Sequence, residues 1–190
     1  VPPPGKNTPT TTAIIWDGTN YDVQLSPNFI LRYFTIGHGT NSPQNANRGC
    51  MFPHELTNFD STYTIQARFA NLQALAVQVL EPLFAQFGPF RINSGIRNEN
   101  SVKNGLSQHV KGQAADIQFN GWNYDTYWNN APWIKDNLPY DQFIFEHSPK
   151  GSNVWYHLSF NSAGNRAPNA PFKVCTMYRG NYDNGLKRYY

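Results

Sequence analysis

Two histidines and an aspartate hold the chemistry that this sequence offers. His109 and Asp116 flank a glycine-containing turn and the start of an apolar run, and His157 lies within Val154-Trp155-Tyr156-His157-Leu158-Ser159-Phe160. Two imidazoles and one carboxylate form a borderline-soft donor set suited to Zn²⁺. Three protein ligands leave a fourth position open, which is the pattern of catalytic rather than structural zinc. An ion held in this way lowers the pKa of water to about 7 and polarises a carbonyl oxygen. Gly112 lets the chain turn without a Cβ clash, and Ala114 is small enough to sit beneath a metal. Period-two alternation puts Trp155, His157 and Ser159 on one strand face, and Tyr156, Leu158 and Phe160 on the other. The histidine then faces a cleft while the apolar set faces a core.

These residues need a scaffold, and the pattern of the chain predicts one. Residues 1–12 contain four prolines and a threonine run, which reads as an extended arm or linker. Ser26-Pro27-Asn28-Phe29 reads as a turn, and residues 37–63 as a long Gly/Asn/Ser/Pro-rich loop. Apolar residues at Ile65, Phe69, Leu72, Leu75, Ala76, Val79, Leu80, Leu83 and Phe87 recur at helical spacing. Gly88-Pro89 stops that helix, and Pro82 inside it predicts a kink or a break. Short strands follow at Phe90 to Asn93 and Ala114 to Phe119, separated by a Gly/Asn/Ser-rich loop. A helix over 123–138, interrupted at Pro132, leads to strands at Gln142 to Glu146 and Val154 to Phe160. The order predicts an α+β domain, with helices packed on an antiparallel or mixed sheet. The arm spans 1–24, the domain 25–160, and an irregular Tyr-rich extension 161–190.

The motif around the first histidine resembles a known family. Ser107-Gln108-His109-Val110-Lys111-Gly112-Gln113-Ala114-Ala115-Asp116 matches the SxHxxGxAxD signature of the D-alanyl-D-alanine carboxypeptidase/Hedgehog-like zinc peptidases. Trp155-Tyr156-His157 matches their WxH element, and Asn93-Ser94-Gly95-Ile96-Arg97 is similar to their SGYR segment. Five specified residues match by chance on the order of once in ten thousand chains of this length. The resemblance covers roughly residues 25–160. It implies a small α+β domain with a central antiparallel sheet, and Zn²⁺ held by His109, Asp116 and His157. It implies that Arg97 meets a substrate carboxylate or the oxyanion, with Ser107 beside His109 and Trp155 near the substrate. It also implies peptidoglycan stem or cross-bridge peptides as substrates, cut by a phage-type lysin. Many members carry an acid three residues before the second histidine; here that position is Val154. Glu146, at the end of the preceding strand, is the candidate general base in its place.

Composition narrows the partners. The 190 residues carry 15 Lys+Arg and a net charge of +3, with charged residues at only 14% and aromatics at 15%. The basic residues are scattered, so no row of them can neutralise a run of phosphates, and nucleic-acid binding has no footprint. No stretch approaches the ~18 apolar residues of a membrane span, and the N-terminus has no signal-peptide apolar region. The expected site of action is the virion, the cell wall or the periplasm. Cys50 and Cys175 form a disulfide or remain two thiols. His38, His54 and His147 read as surface or satisfied core residues. Arg97 paired with Glu99 or Glu146, and Glu146 as a purely structural partner, are the plainer alternatives for those residues. The rival function is a zinc-binding structural module of a virion tail or wall assembly, contacting neighbours through both extensions.

Overall fold

The computed structural model describes residues 20–35, 64–97, 107–148, 151 and 153–189. Residues 1–19, the 37–63 loop with His38, His54 and Cys50, and Glu99 lie outside the described residues. The architecture is α+β, built on one six-stranded sheet with helices packed against it. A small hairpin, β1 (Gln24–Ser26) and β2 (Phe29–Ile30), turns at Pro27-Asn28 and leads into a 3₁₀ turn at Leu31–Phe34. The large sheet contains β3 (Arg91–Ser94), β4 (Ala114–Gln118), β5 (Phe143–His147), β6 (Val154–Ser159), β7 (Val174–Tyr178) and β8 (Asn181–Asn184). Their spatial order is β3-β4-β6-β5-β7-β8. Neighbours are antiparallel except β5 and β7, which run parallel.

Residues paired across strands share a sheet face, so the register sorts side chains into two sets. Ala115, Ile117, Phe143, Phe145, Tyr156 and Leu158 form one face, all fully buried in the core. Asp116, Ile144, Glu146, Trp155 and His157 form the other. The apolar face is covered by helices. Helix α1 (Ile65–Leu75) starts at Thr64, whose side chain accepts from Ala67 N at 3.2 Å. A π-helical turn (Ala76–Leu80) joins it to α2 (Glu81–Phe87). Phe69, Leu72, Leu75, Ala76, Val79, Leu80 and Leu83 are buried along this rod. Helix α3 (Tyr124–Asn137), capped by the Asn123 side chain, adds Tyr127, Ala131 and Ile134. The Tyr127 hydroxyl accepts from Phe119 N at 2.6 Å, and the Tyr156 hydroxyl donates to the Tyr127 carbonyl. Burial pushes the Tyr127 phenol up to about 12, so it stays a neutral hydrogen-bonding group.

Three expectations need revision. Pro82 does not end its helix: of the kink or break expected, the break is absent, and the proline sits in the first turn of α2, immediately after a π-helical turn that interrupts the α-helical pattern. A proline ring collides with the carbonyl four residues back, and the wider π turn before it makes room. Pro132 does not interrupt α3 either. It is exposed while Ala131 and Ile134 are buried, so its ring stays out of the core and packing of the opposite face holds the helix. The extension 161–190 is not wholly irregular, because it supplies β7 and β8 and the sheet runs past residue 160. Those two strands join through Arg179 (φ 53) and Gly180 (φ 79), between paired Tyr178 and Asn181. Two successive left-handed residues make the type I′ turn that matches strand twist.

The interior position of β7 is testable through Cys175, which is fully buried with its thiol pushed up to about 12 by burial and by nearby Glu146. In a Cys50→Ser background, Cys175 should react with a disulfide reagent at mildly alkaline pH roughly a hundredfold or more slowly when native than in guanidinium. Comparable rates in the two states would place β7 outside the sheet.

Candidate metal centre

The two strand-borne residues face each other. Asp116 on β4 and His157 on β6 are direct cross-strand partners, which sets their side chains side by side on the polar face. His109 arrives from the turn before β4. Val110 N donates to Ser107 O (3.0 Å), Gly112 N to His109 O (3.2 Å) and Gln113 N to Gln108 O (2.9 Å). Gly112 closes the turn at φ 70, and a Cβ there would lie 2.6 Å from the Arg68 carbonyl oxygen. Helix α1 grips this turn from below: Arg68 Nε donates to Val110 O (2.7 Å) and Asn71 Nδ2 to Lys111 O (2.9 Å). Ser107 Oγ accepts from His109 N at 3.3 Å.

Three atoms converge. His157 Nδ1 lies 2.9 Å from Asp116 Oδ1, His109 Nε2 lies 3.1 Å from His157 Nδ1, and His109 Nε2 lies 3.3 Å from Asp116 Oδ1. All three residues are buried. Their protons do not suffice for this triangle. His109 Nδ1 sits 2.7 Å from the Gly95 carbonyl, which only accepts, so the His109 proton is on Nδ1. Burial, outweighing the neighbouring Asp116 charge, lowers the His109 pKa to about 4, so at neutral pH Nε2 presents a bare lone pair. Burial alone would raise the Asp116 carboxyl, but its contacts with the two histidines hold it well below the usual range. One N–H at His157 Nδ1 therefore serves two lone-pair atoms. If that proton moves to His157 Nε2, it meets no acceptor there, since Nε2 is buried without a partner among the described residues.

A cation held by the three atoms would match their lone pairs, with the His157 proton moved to Nε2, which has no partner among the described residues. Ligand atoms bound tetrahedrally at about 2.0–2.2 Å stand roughly 3.3–3.5 Å apart, close to the spacing observed. The Nδ1–H···O=C bond from His109 to Gly95 is the outer contact that orients a metal-ligating imidazole. His109, Asp116 and His157 thus form a buried group able to hold a metal ion.

The group opens on a cavity of about 740 Å³. Arg97, Ser107, Glu146 and Trp155 line this same cavity. Glu146 is opposite Trp155 on β5, two residues from the Ile144–His157 pair. Arg97 binds Asp116, with Nη2 2.6 Å from Oδ2 and Nε donating to Ser94 Oγ at 2.8 Å. Arg97 therefore pairs with the Asp116 carboxylate, and Glu99 lies outside the described residues. Val154 is buried on the core side. Gln108, Gln142, Arg166, Phe172 and Tyr182 also line the cavity, and sequence reasoning did not single them out. The Val174–Tyr178 run of β-branched and aromatic residues was the available signal for the strand that brings Tyr182 there.

Comparison with protein-family models and with curated proteins returns no match.

Gly95 is the position where orientation and metal binding separate. A Cβ on Gly95 would press on Phe34, coming within 2.6 Å of its Cα, and would displace the carbonyl that holds His109. Gly95→Ala should weaken Zn²⁺ or Co²⁺ binding roughly 10- to 100-fold in chelator competition, and His157→Ala should abolish it. Saturating metal should raise the unfolding temperature of the unmodified chain but not of His157→Ala.

Proposed function

We propose that the chain is a zinc-dependent peptidase that hydrolyses peptidoglycan stem or cross-bridge peptides, acting as a phage-type lysin at the virion, cell wall or periplasm. The observation that carries this reading is the proton-poor triangle of His109 Nε2, Asp116 Oδ1 and His157 Nδ1, opening on a cavity that also contains the Glu146 carboxylate. The Ser107-to-Asp116 and Trp155-to-His157 motifs support it by resemblance. Two imidazoles and one carboxylate suit Zn²⁺ better than the hard, oxygen-seeking Ca²⁺ or Mg²⁺. When bound, such an ion supplies Lewis acidity, producing hydroxide near neutral pH and polarising a carbonyl.

The chain's own groups supply the rest. Glu146 accepts the proton of the attacking water and returns it to the leaving amine. Arg97 holds Asp116 Oδ2, which fixes the carboxylate's orientation, and as a cavity-lining cation it meets the oxyanion or a substrate carboxylate. Trp155 offers an aromatic wall beside Glu146. The N- and C-terminal extensions are the natural contacts to other virion or wall proteins. The buried Val154 favours a second reading, a metal-binding module without turnover, in which Glu146 is structural.

Purified peptidoglycan and its soluble muropeptides separate these readings. The zinc-loaded chain should release new amino groups, with the cut bond located by mass spectrometry. Glu146→Gln should retain one equivalent of zinc and lose roughly 10²-fold or more in kcat. His109→Ala should lose both zinc and activity. Zinc binding with no release by the unmodified chain would leave the binding module standing.

A further inference from the structure

We propose that the C-terminal segment builds a recognition subsite at one end of this cavity, where Arg166 and Gln108 take the carboxylate and adjacent N–H of an acidic residue in a bound peptide. The identity of the polymer rests on the peptidase reading; the subsite rests on the following geometry.

Asp141 is the anchor. It is 3% exposed, and its two oxygens are shared between segments distant in sequence. Oδ1 accepts from the Arg166 backbone N–H at 2.6 Å, and Oδ2 accepts from Gln108 Nε2 at 2.6 Å. Arg166 Nε lies 3.4 Å from that same Oδ2, so the two side chains adjoin. The Phe172 carbonyl receives Arg166 Nη1 (3.3 Å) and Gln142 Nε2 (2.8 Å). Nothing among the described residues accepts from Arg166 Nη2, and Arg166 lines the cavity. A carboxylate oxygen only accepts, so Gln108 Nε2 must face Asp141, which leaves Gln108 Oε1. That oxygen is buried and without a partner among the described residues. Two side chains that meet at Asp141 and line one wall thus hold an unused cationic donor and a buried acceptor without a partner among the described residues. Their complement is a carboxylate next to an N–H. Arg97 is less available for this task, since its Nε and Nη2 are committed to Ser94 and Asp116.

The sheet sets the direction. Ile144 pairs with His157; Glu146 lies two residues to one side and Gln142 two residues to the other. At about 3.3 Å per residue, Glu146 and Gln142 stand roughly 13 Å apart, the span of some four extended residues, with the metal group between. Glu146 returns its proton to the leaving nitrogen, so the leaving residue lies toward Glu146. The acyl part of the peptide extends toward Gln142 and Arg166. Phe172, 44% exposed and held at φ 57, and Tyr182, 53% exposed, add aromatic surface to the cavity wall. Asn184 Oδ1 accepts from Phe172 N at 2.7 Å and fixes that strained backbone. The substrate class is therefore a peptide with an acidic residue just before the residue whose carbonyl is attacked.

Calorimetric titration tests this without requiring turnover. The zinc-loaded Glu146→Gln chain is titrated with N-acetylated, C-amidated Ala-Glu-Ala-Ala and Ala-Gln-Ala-Ala, in the L and D series. The Glu peptide of at least one series should bind roughly tenfold or more tightly than its Gln counterpart. Adding Arg166→Gln should erase that preference, and Arg166→Lys should restore part of it. Equal affinities within both series, absence of binding, or a preference untouched by Arg166→Gln would overturn the subsite. The peptide pair tests the parent chain directly, so a misfolded Arg166 variant does not spare the proposal. An Arg166-dependent Glu preference without cleavage of wall peptides would keep the subsite and remove the peptidase reading.

Discussion

The structure depends on a buried disagreement between lone pairs and protons. His109 gives its proton to the Gly95 carbonyl, so its second nitrogen turns a lone pair toward Asp116 and His157. A carboxylate buried with two imidazoles is costly unless its charge is matched. Arg97 offsets part of that cost from one side at 2.6 Å. In the remaining triangle one N–H is shared by two lone-pair atoms, and a cation could take the place of that proton. The His109–Gly95 bond thus keeps the three residues arranged so that they could hold a metal ion, and any change that frees His109 from Gly95 loosens that arrangement.

Maintaining that arrangement requires rigidity from both faces of the sheet. The apolar set of Tyr156, Leu158, Phe143 and Phe145 locks β5 and β6 onto the helices, and strand alternation then delivers His157 and Ile144 to the opposite side. Helix α1 contributes more than core. Through Arg68 and Asn71 it holds the carbonyls of Val110 and Lys111, so the His109 turn is braced by the same rod that fills the interior. The 3₁₀ turn has a parallel part: Phe34 O accepts from Ile96 N at 2.9 Å and keeps Gly95 in place. A change in the core therefore reaches the centre through few intermediates.

Local patterns were legible, and long-range pairings were not. The helical rod over 65–87 follows from apolar spacing, and β4 and β6 follow from runs of strand-forming residues. Alternation alone separates His157 from Tyr156 and Leu158. The His109–Asp116–His157 group could be picked out because Ser107 to Asp116 and Trp155 to His157 are two short, specific motifs. Other features arise from contacts that no window contains. Pro132 lies in a helix held by packing of Tyr127 and Ile134, which outweighs its propensity. β7 and β8 escaped notice because Arg179-Gly180 is an unusual type I′ pair and Asn181-Tyr182-Asp183-Asn184 lacks strand composition. The Arg97–Asp116 bond joins a residue just past the end of β3 to one on β4, and its existence depends on how those strands pair.

The single parallel pairing in the sheet explains why the C-terminal segment meets the cavity. β6 ends beside the start of β5, and β7 starts from that same end on the far side of β5. Residues 160–173 must therefore bridge over the beginning of β5, where Asp141 and Gln142 sit. Asp141 catches the bridge by the Arg166 N–H, and Gln142 catches it by the Phe172 carbonyl. Had β7 simply joined β6 by a tight hairpin, no chain would cross that end and the cavity would have no wall there. Placing β5 between them forces a long connection across the mouth, with a cation and an aromatic ring carried on it. Topology, more than local sequence, gives the His109–Asp116–His157 group a chemically asymmetric approach, with the Glu146 carboxylate toward one side and the Arg166 cation toward the other.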